Sequence, residues 1–484
     1  MRVAAGQIDW RGPHGAAGDR TLFRAAAPRR GKTARGVSGG GGTSGLDCYI
    51  LLSMNEMAGI VIVGAGAAGM AGAIAAARAA GAEAGAERAG LRRRRVVVLE
   101  GSRQIGAKVL IAGGGRCNVT HERVTADDYH GPRNIVRNVL AGFDQPATVR
   151  WFEGLGVPLM REETGKLFPV GNNARGVVDA LERRCTELGV LIFTEHRVRE
   201  ILPPAPEAPA DEAAFTIRHD RGQMQARRVI VATGGRSWPQ MGASAQGFDL
   251  VRALGHSVTD LQPALVPLVL EEGFFHASLT GLAHDAVLSV VVDGKRVDER
   301  RGSLLWTHFG VSGPVVLDAS RHWVIAHAAG RKTEVRCNLL GGDDFAAADR
   351  WLTELTGGSP QRLLDTLLAR RLPRRLAETL VVHAGIDRDI RAGQLRREQR
   401  RDLAHALVEL PLPVTGDRGW QAAEVTAGGV PLHEIDYRTM QSRRCPGLYL
   451  AGEMLDCDGR LGGFNLQWAW TTGTIAGRSA AGSL

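Results

Sequence analysis

Gly59-Ile60-Val61-Ile62-Val63-Gly64-Ala65-Gly66-Ala67-Ala68-Gly69 carries the plainest structural signal in the chain. Ile60 to Val63 is a short apolar run, mostly β-branched, the pattern of a strand buried on both faces. Gly64, Gly66 and Gly69 follow at G-x-G-x-x-G spacing, with Ala68 in the same turn, and the alanine-rich run from Met70 to Ala80 predicts a helix. Strand, glycine turn and helix in that order are the context a dinucleotide fingerprint requires. Gly64 permits the tight turn, Gly66 lets the backbone approach a pyrophosphate, and Gly69 lets helix pack on strand, which leaves the anion at the helix N-terminus. The predicted fold class is α/β with a Rossmann-like domain.

The second strand, Val96 to Leu99, ends in Glu100. An acid at this place accepts the hydroxyls of an adenosine ribose, and an acid rather than a base favours a free 2′-hydroxyl, as in FAD or NAD. Its distance from Gly69 exceeds the usual ~20 residues, and the Gly81–Arg95 segment, ending in Arg92-Arg93-Arg94-Arg95, absorbs the excess as a solvated connection. Next comes Lys108-Val109-Leu110-Ile111-Ala112-Gly113-Gly114-Gly115-Arg116-Cys117-Asn118. Backbone N–H groups exposed around Gly114 suit an anion or a flavin edge, Arg116 suits a phosphate, and Asn118 suits a carbonyl. Cys117 is a candidate proton donor; packing alone explains a lone cysteine as well.

Further along, Asn173 is placed to cap a helix through Val177, Val178, Leu181 and Cys185. The Phe168-Pro169-Val170-Gly171-Asn172-Asn173-Ala174 loop is a candidate ligand-facing segment, although capping explains much of it. The strand Val229 to Ala232 ends in Thr233-Gly234-Gly235, a candidate second place for the chain to pass near a cofactor. Pro203 to Pro209 is a surface loop, and Pro263 and Pro267 mark a change of architecture. Leu268 to Asn338 is β-rich, with Asp293-Gly294 as a hairpin turn. His308, in Thr307-His308-Phe309-Gly310, is a candidate acid or substrate contact, or a structural histidine. Residues 344–410 are helical, and Arg370 to Arg401 contains the densest basic field of the chain, either a solvated helical face or a docking surface for RNA. The last apolar strand, Leu448 to Ala451, leads into Gly452-Glu453, then Asp458, Gly463, Asn465 and Leu466 at the start of a helix. Glu453 is suited to ribityl hydroxyls, and the glycine-led helix N-terminus is suited to the negative N1–C2=O edge of a reduced flavin.

Composition bounds the rest. A chain of 484 residues with 44% hydrophobic residues holds two or three domains with substantial cores. A net charge of +9 permits a polyanionic partner without requiring one, since arginine-rich composition alone produces it. The six cysteines form no C-x-x-C pair, which argues against a zinc site or redox dithiol and fits the cytoplasm; no metal is expected. No apolar run reaches the ~18 residues of a membrane span. Residues 1–57 look like a disordered leader, and Met54 or Met57 is a candidate alternative translation start.

Taken together, Gly113 to Asn118, Phe168 to Ala174, Thr307 to Pro314 and Ala451 to Trp468 resemble the BaiN/RdsA-like family of bacterial NAD(P)/FAD-dependent oxidoreductases, also described as aminoacetone-oxidase-like flavoproteins. The resemblance runs from about residue 58 to the C-terminus. It implies an FAD-binding domain over 58–265 and 421–484, a β-rich inserted domain over 266–342 and 411–420, and a helical insert over 343–410. It also implies FAD as cofactor, with NAD(P)H as a transient hydride donor that lacks a second Rossmann domain. Family activities include reduction of conjugated C=C bonds in steroid-like acids and dihydrouridine formation in ribosomal RNA. The expected activity is therefore C=C reduction, with ribosomal RNA uridine favoured by the arginine field and a small-molecule enone beside it. The alternatives are an aminoketone or amine oxidase and a non-catalytic, flavin-dependent RNA-binding module. Oligomeric state is not legible.

Overall fold

β-Branched side chains fit a pleated surface covered on both sides, and every residue of β1 (Ala58–Val63) is buried. The computed structural model describes residues 57–81, 95–205, 207, 209, 213–242 and 244–484. All but the last residue of the 1–57 leader, the Met54 start and most of the Gly81–Arg95 insertion lie outside these residues, as do two positions of the Pro203–Pro209 loop.

β1 leads through the glycine turn into α1 (Ala67–Ala79), β2 (Val96–Leu99) and α2 (Ala107–Gly115). There follow β3 (Lys166–Pro169), β4 (Leu191–Phe193) and β5 (Gly222–Val231). The chain then forms β6 (Ala283–Val292), β7 (Lys295–Thr307), α3 (Pro314–Ala328) and β8 (Thr333–Asn338), and closes with β9 (Leu448–Leu450) and α4 (Phe464–Gly482).

The larger sheet runs β9–β5–β1–β2–β4, all parallel, with Val61 opposite Val97 on one side and Val229 on the other. This is the Rossmann-type order, in which α1 is the crossover between β1 and β2. Strands Val198–Leu202 and Phe215–His219 extend β5 as an antiparallel meander. Asn173 caps the helix Ala174–Glu187 by accepting the Arg175 amide at 2.9 Å.

The second sheet is antiparallel and has seven strands, with β8, β6 and β7 consecutive within it. Asp293 and Gly294 join β6 to β7, both at positive φ (49° and 77°), as a two-residue primed turn requires. α3 covers this sheet, and Trp306 and Trp323 anchor the core between them. The helices between Phe345 and Val408 add Leu364, Leu367, Leu376, Leu380, Leu403 and Leu407 to that same core. Between the two cores, Gln262–Ala264 and Val425–Ala427 pair antiparallel and carry the chain from one sheet to the other. Among the described residues no helix is long and apolar enough to cross a membrane.

The contact between α1 and α4 sets the site. A Cβ on Gly473 would stand 2.2 Å from the Ala68 carbonyl oxygen, and one on Gly477 the same distance from that of Gly72. Only glycine permits so close a crossing. The residues meet in ascending order, so the helices run parallel and direct both N-termini to the same end of the β-sheet.

Candidate active site

Those two N-termini open onto one cavity of about 500 Å³ at the carboxyl ends of β1, β2, β5 and β9. This is where α/β sheets bind ligands. Gly64, Gly66 and Ala68 form its floor at α1, and no acid occupies the first turn of α1 or α4 to oppose an anion. A Cβ on Gly66 would meet nothing within 4 Å, which leaves the approach to its backbone open. Gly69 lies behind the wall rather than on it: its missing Cβ makes room for the Gly64 carbonyl, 1.9 Å from where that atom would be.

Glu100 lines the cavity, and its two carboxylate oxygens accept the Ala65 and Ser102 amides, each at 2.8 Å. It therefore ties the end of β2 to the glycine turn, and each oxygen keeps a lone pair for a ribose hydroxyl. Gly114 and Gly234 line the wall at positive φ with open space beside them. Arg116 also lines it, pairs with Glu162 at 2.6 Å, and stacks over Phe168 at 4.0 Å. Gly452, Gly463 and Leu466 lie on the α4 side with Asn465, whose amide is spent bracing the Gly459 backbone (both bonds 2.8 Å). Glu453 is held by Lys108 at 2.6 Å, by the Ser237 hydroxyl at 3.1 Å and by the Thr426 amide at 2.9 Å. Burial opposes ionisation of Glu453, but Lys108 and Thr426 outweigh it and hold the carboxyl below its usual range.

The cavity fits FAD on the structure's own terms. Two helix N-termini would meet an anion, Glu100 would meet a ribose, and Asn118, on the cavity wall, has a buried Oδ1 with no partner among the described residues.

Three expected placements are corrected. Cys117 is fully buried behind the wall, and burial pushes its thiol up to about 12, so it cannot donate a proton to a ligand it does not reach. His308 is exposed in the turn after β7, with its ring against Phe309 and off the cavity wall. Asp458 lies behind the wall, in a buried ion pair with Arg321 of α3 at 2.7 Å, which attaches the inserted sheet to the loop preceding α4.

Sequence reasoning missed Lys108, Lys166, Trp238, Leu265, Glu424, Cys457 and Arg460, all on the wall. Lys108 stood within the quoted glycine segment and Lys166 two residues before the Phe-Pro segment, where a cation beside an anion-binding loop was a usable signal. Glu424 had none, because it reaches the wall only through the pairing of two distant strands.

A parallel sheet with a glycine cradle, an acid at the end of β2 and two helix N-termini on one cavity defines a dinucleotide-binding oxidoreductase fold. The chain matches the HI0933-like protein Rossmann domain over residues 58–479 and belongs to that family of FAD-dependent oxidoreductases. It is 33% identical over 423 residues to a 3-dehydro-bile acid delta(4,6)-reductase of Clostridium scindens, covering 87% of this chain and 98% of that protein. It is 34% identical over 414 residues to a ribosomal RNA dihydrouridine synthase of Escherichia coli, covering 85% of this chain and 95% of that protein. A ribosomal RNA dihydrouridine synthase of Haemophilus influenzae is 30% identical over 422 residues, with 87% and 97% covered.

Proposed function

We propose that the protein reduces a C=C bond conjugated to a carbonyl, using FAD with NAD(P)H as hydride donor, and that its substrate is uridine in ribosomal RNA. Support comes from relatives of near-equal identity whose names describe a delta(4,6)-reductase and two dihydrouridine synthases. Both names denote saturation of a conjugated double bond. FAD, when bound, supplies the hydride for such a bond. The protein's own part is to hold the cofactor at Gly64–Gly66 and Glu100, to place two helix N-termini at its anionic groups, and to offer polar groups to the substrate from the wall.

The observation that favours RNA over a small enone is the distribution of exposed arginines. Arg371 pairs with Asp343, Arg374 and Arg388 share Glu378, and Arg400 pairs with Asp349, so part of the basic field is internally neutralised. Arg370, Arg397 and Arg401 are exposed and have no carboxylate partner among the described residues, which leaves them for phosphates. Cytoplasmic location follows from such a substrate.

The test has two arms. In anaerobic stopped-flow, NADH or NADPH should bleach the flavin, and unmodified ribosomal RNA should restore its colour. Dihydrouridine mapping of ribosomal RNA from a deletion strain should show one or more sites lost; unchanged RNA removes the RNA substrate, and bleaching by an aminoketone instead of NAD(P)H removes the reductase.

A further inference from the structure

Three carboxylates line the cavity, and two are already engaged. Glu100 accepts the Ala65 and Ser102 amides, and Glu453 is bound by Lys108, Ser237 and Thr426. Glu424 is different. Its backbone is pinned at both ends, the amide donating to the Leu265 carbonyl at 3.2 Å and the carbonyl accepting from the Ser237 hydroxyl at 3.3 Å. Its side chain makes no hydrogen bond or ion pair among the described residues, although it stands on the wall. The cations divide the same way. Lys108 pairs with Glu453, Arg116 with Glu162 and Arg460 with Asp128, whereas the Lys166 ammonium is unpaired among the described residues. A free carboxyl and a free ammonium therefore share a cavity whose other charges are committed to holding the structure together.

We propose that Glu424 donates the proton that completes reduction of the substrate, and that Lys166 faces the substrate's carbonyl oxygen. This rests on the reductase function proposed above. The double bond gains a hydride at its β-carbon from the cofactor, whose two electrons come from NAD(P)H, and a proton at its α-carbon from the Glu424 carboxyl. The C=C π bond is lost and two C–H bonds form. The Glu424 carboxylate is reprotonated from water, while Lys166 stabilises negative charge developing on the conjugated oxygen. Burial pushes the Glu424 carboxyl up, Asp318 adds to the effect, and the Lys166 and Lys108 ammoniums oppose it, with the upward direction prevailing. A raised carboxyl pKa lies nearer the operating pH, where a general acid works best.

The experiment separates the two half-reactions. Glu424→Gln should keep its flavin and its bleaching by NAD(P)H, while colour return with unmodified ribosomal RNA or 2-cyclohexen-1-one slows at least ~100-fold. Glu424→Asp should recover part of that rate. The wild-type rate should fall as pH rises through the raised carboxyl pKa, and the Gln variant should lose that limb. Lys166→Met should slow the same half-reaction. Infrared titration gives a readout independent of turnover: a protonated-carboxyl band persisting above the ordinary glutamate range, absent from Glu424→Gln. If the Gln variant matches a wild-type enzyme that either substrate reoxidises, the assignment is wrong and the reductase stands. If neither substrate reoxidises the wild type, the reductase function itself falls, and the assignment with it.

Discussion

Glu100 joins the cavity end of β2 to the glycine turn through its bond to the Ala65 amide. Glu100→Ala removes a charge-assisted acceptor and frees two backbone donors, at a cost of about 2 kcal/mol in cofactor binding. The expected result is a flavin-to-protein ratio well below that of the wild type after gel filtration and an FAD Kd raised more than tenfold; an unchanged Kd would show that another group holds the ribose. Asp458 makes a second prediction at this scale. Burial pushes its carboxyl up to about 6 even though Arg321 pulls it down. The unfolded carboxyl titrates near 4. Between those values the unfolded chain has released a proton that the folded chain keeps, so stability falls as pH rises from about 4 to about 6 and is level above. Asp458→Asn should match the wild type near pH 4 and exceed it by about 3 kcal/mol near pH 7, measured by urea denaturation. The place of Glu100 on the cavity wall was legible because it ends the strand that follows a glycine fingerprint. The surroundings of Asp458 and Glu424 were not, because Arg321 and Lys166 reach them from remote parts of the chain.

The crossing of α1 and α4 explains at the level of elements why glycines far apart in sequence belong to one device. Gly64 to Gly69 could be read as a cradle because the motif is contiguous, and the Asp293-Gly294 turn because its two residues suffice to specify it. Gly473 and Gly477 carry no such local signal: within a helix they only weaken it, and their purpose appears when Ala68 and Gly72 are set against them. Gly473→Val places new atoms on the Ala68 carbonyl and must push the helices apart. The expected loss is about 3 kcal/mol of stability, with flavin retention falling in parallel because the two N-termini no longer converge. Gly482→Ala, whose Cβ meets nothing within 4 Å, is the control and should hold both. A Gly473→Val protein that keeps wild-type flavin affinity would show that the crossing serves stability alone.

The whole molecule divides its labour between a Rossmann-type sheet that holds the cofactor and a second sheet with helices that shares one core. The two are joined at the cavity by the paired strands Gln262–Ala264 and Val425–Ala427, and beside it by Arg321 to Asp458 and by the Leu461 amide to Asp318 at 2.6 Å. Both sheets thus contribute to one cavity wall through connections that the sequence shows only as proline- and glycine-rich interruptions. If the partner is ribosomal RNA, the arginines free of carboxylates should carry its phosphates. Counterion release makes such binding steeply salt-dependent, by nearly one unit of slope per phosphate contact. Replacing Arg370, Arg397 and Arg401 together by Glu should weaken binding of unmodified ribosomal RNA at least tenfold at about 0.1 M salt. It should also flatten the plot of log affinity against log salt by about two to three units, with flavin content and thermal midpoint as controls on the fold. The same triple substitution with unchanged RNA affinity and slope would leave this basic face as solvated surface and shift the substrate toward a small enone.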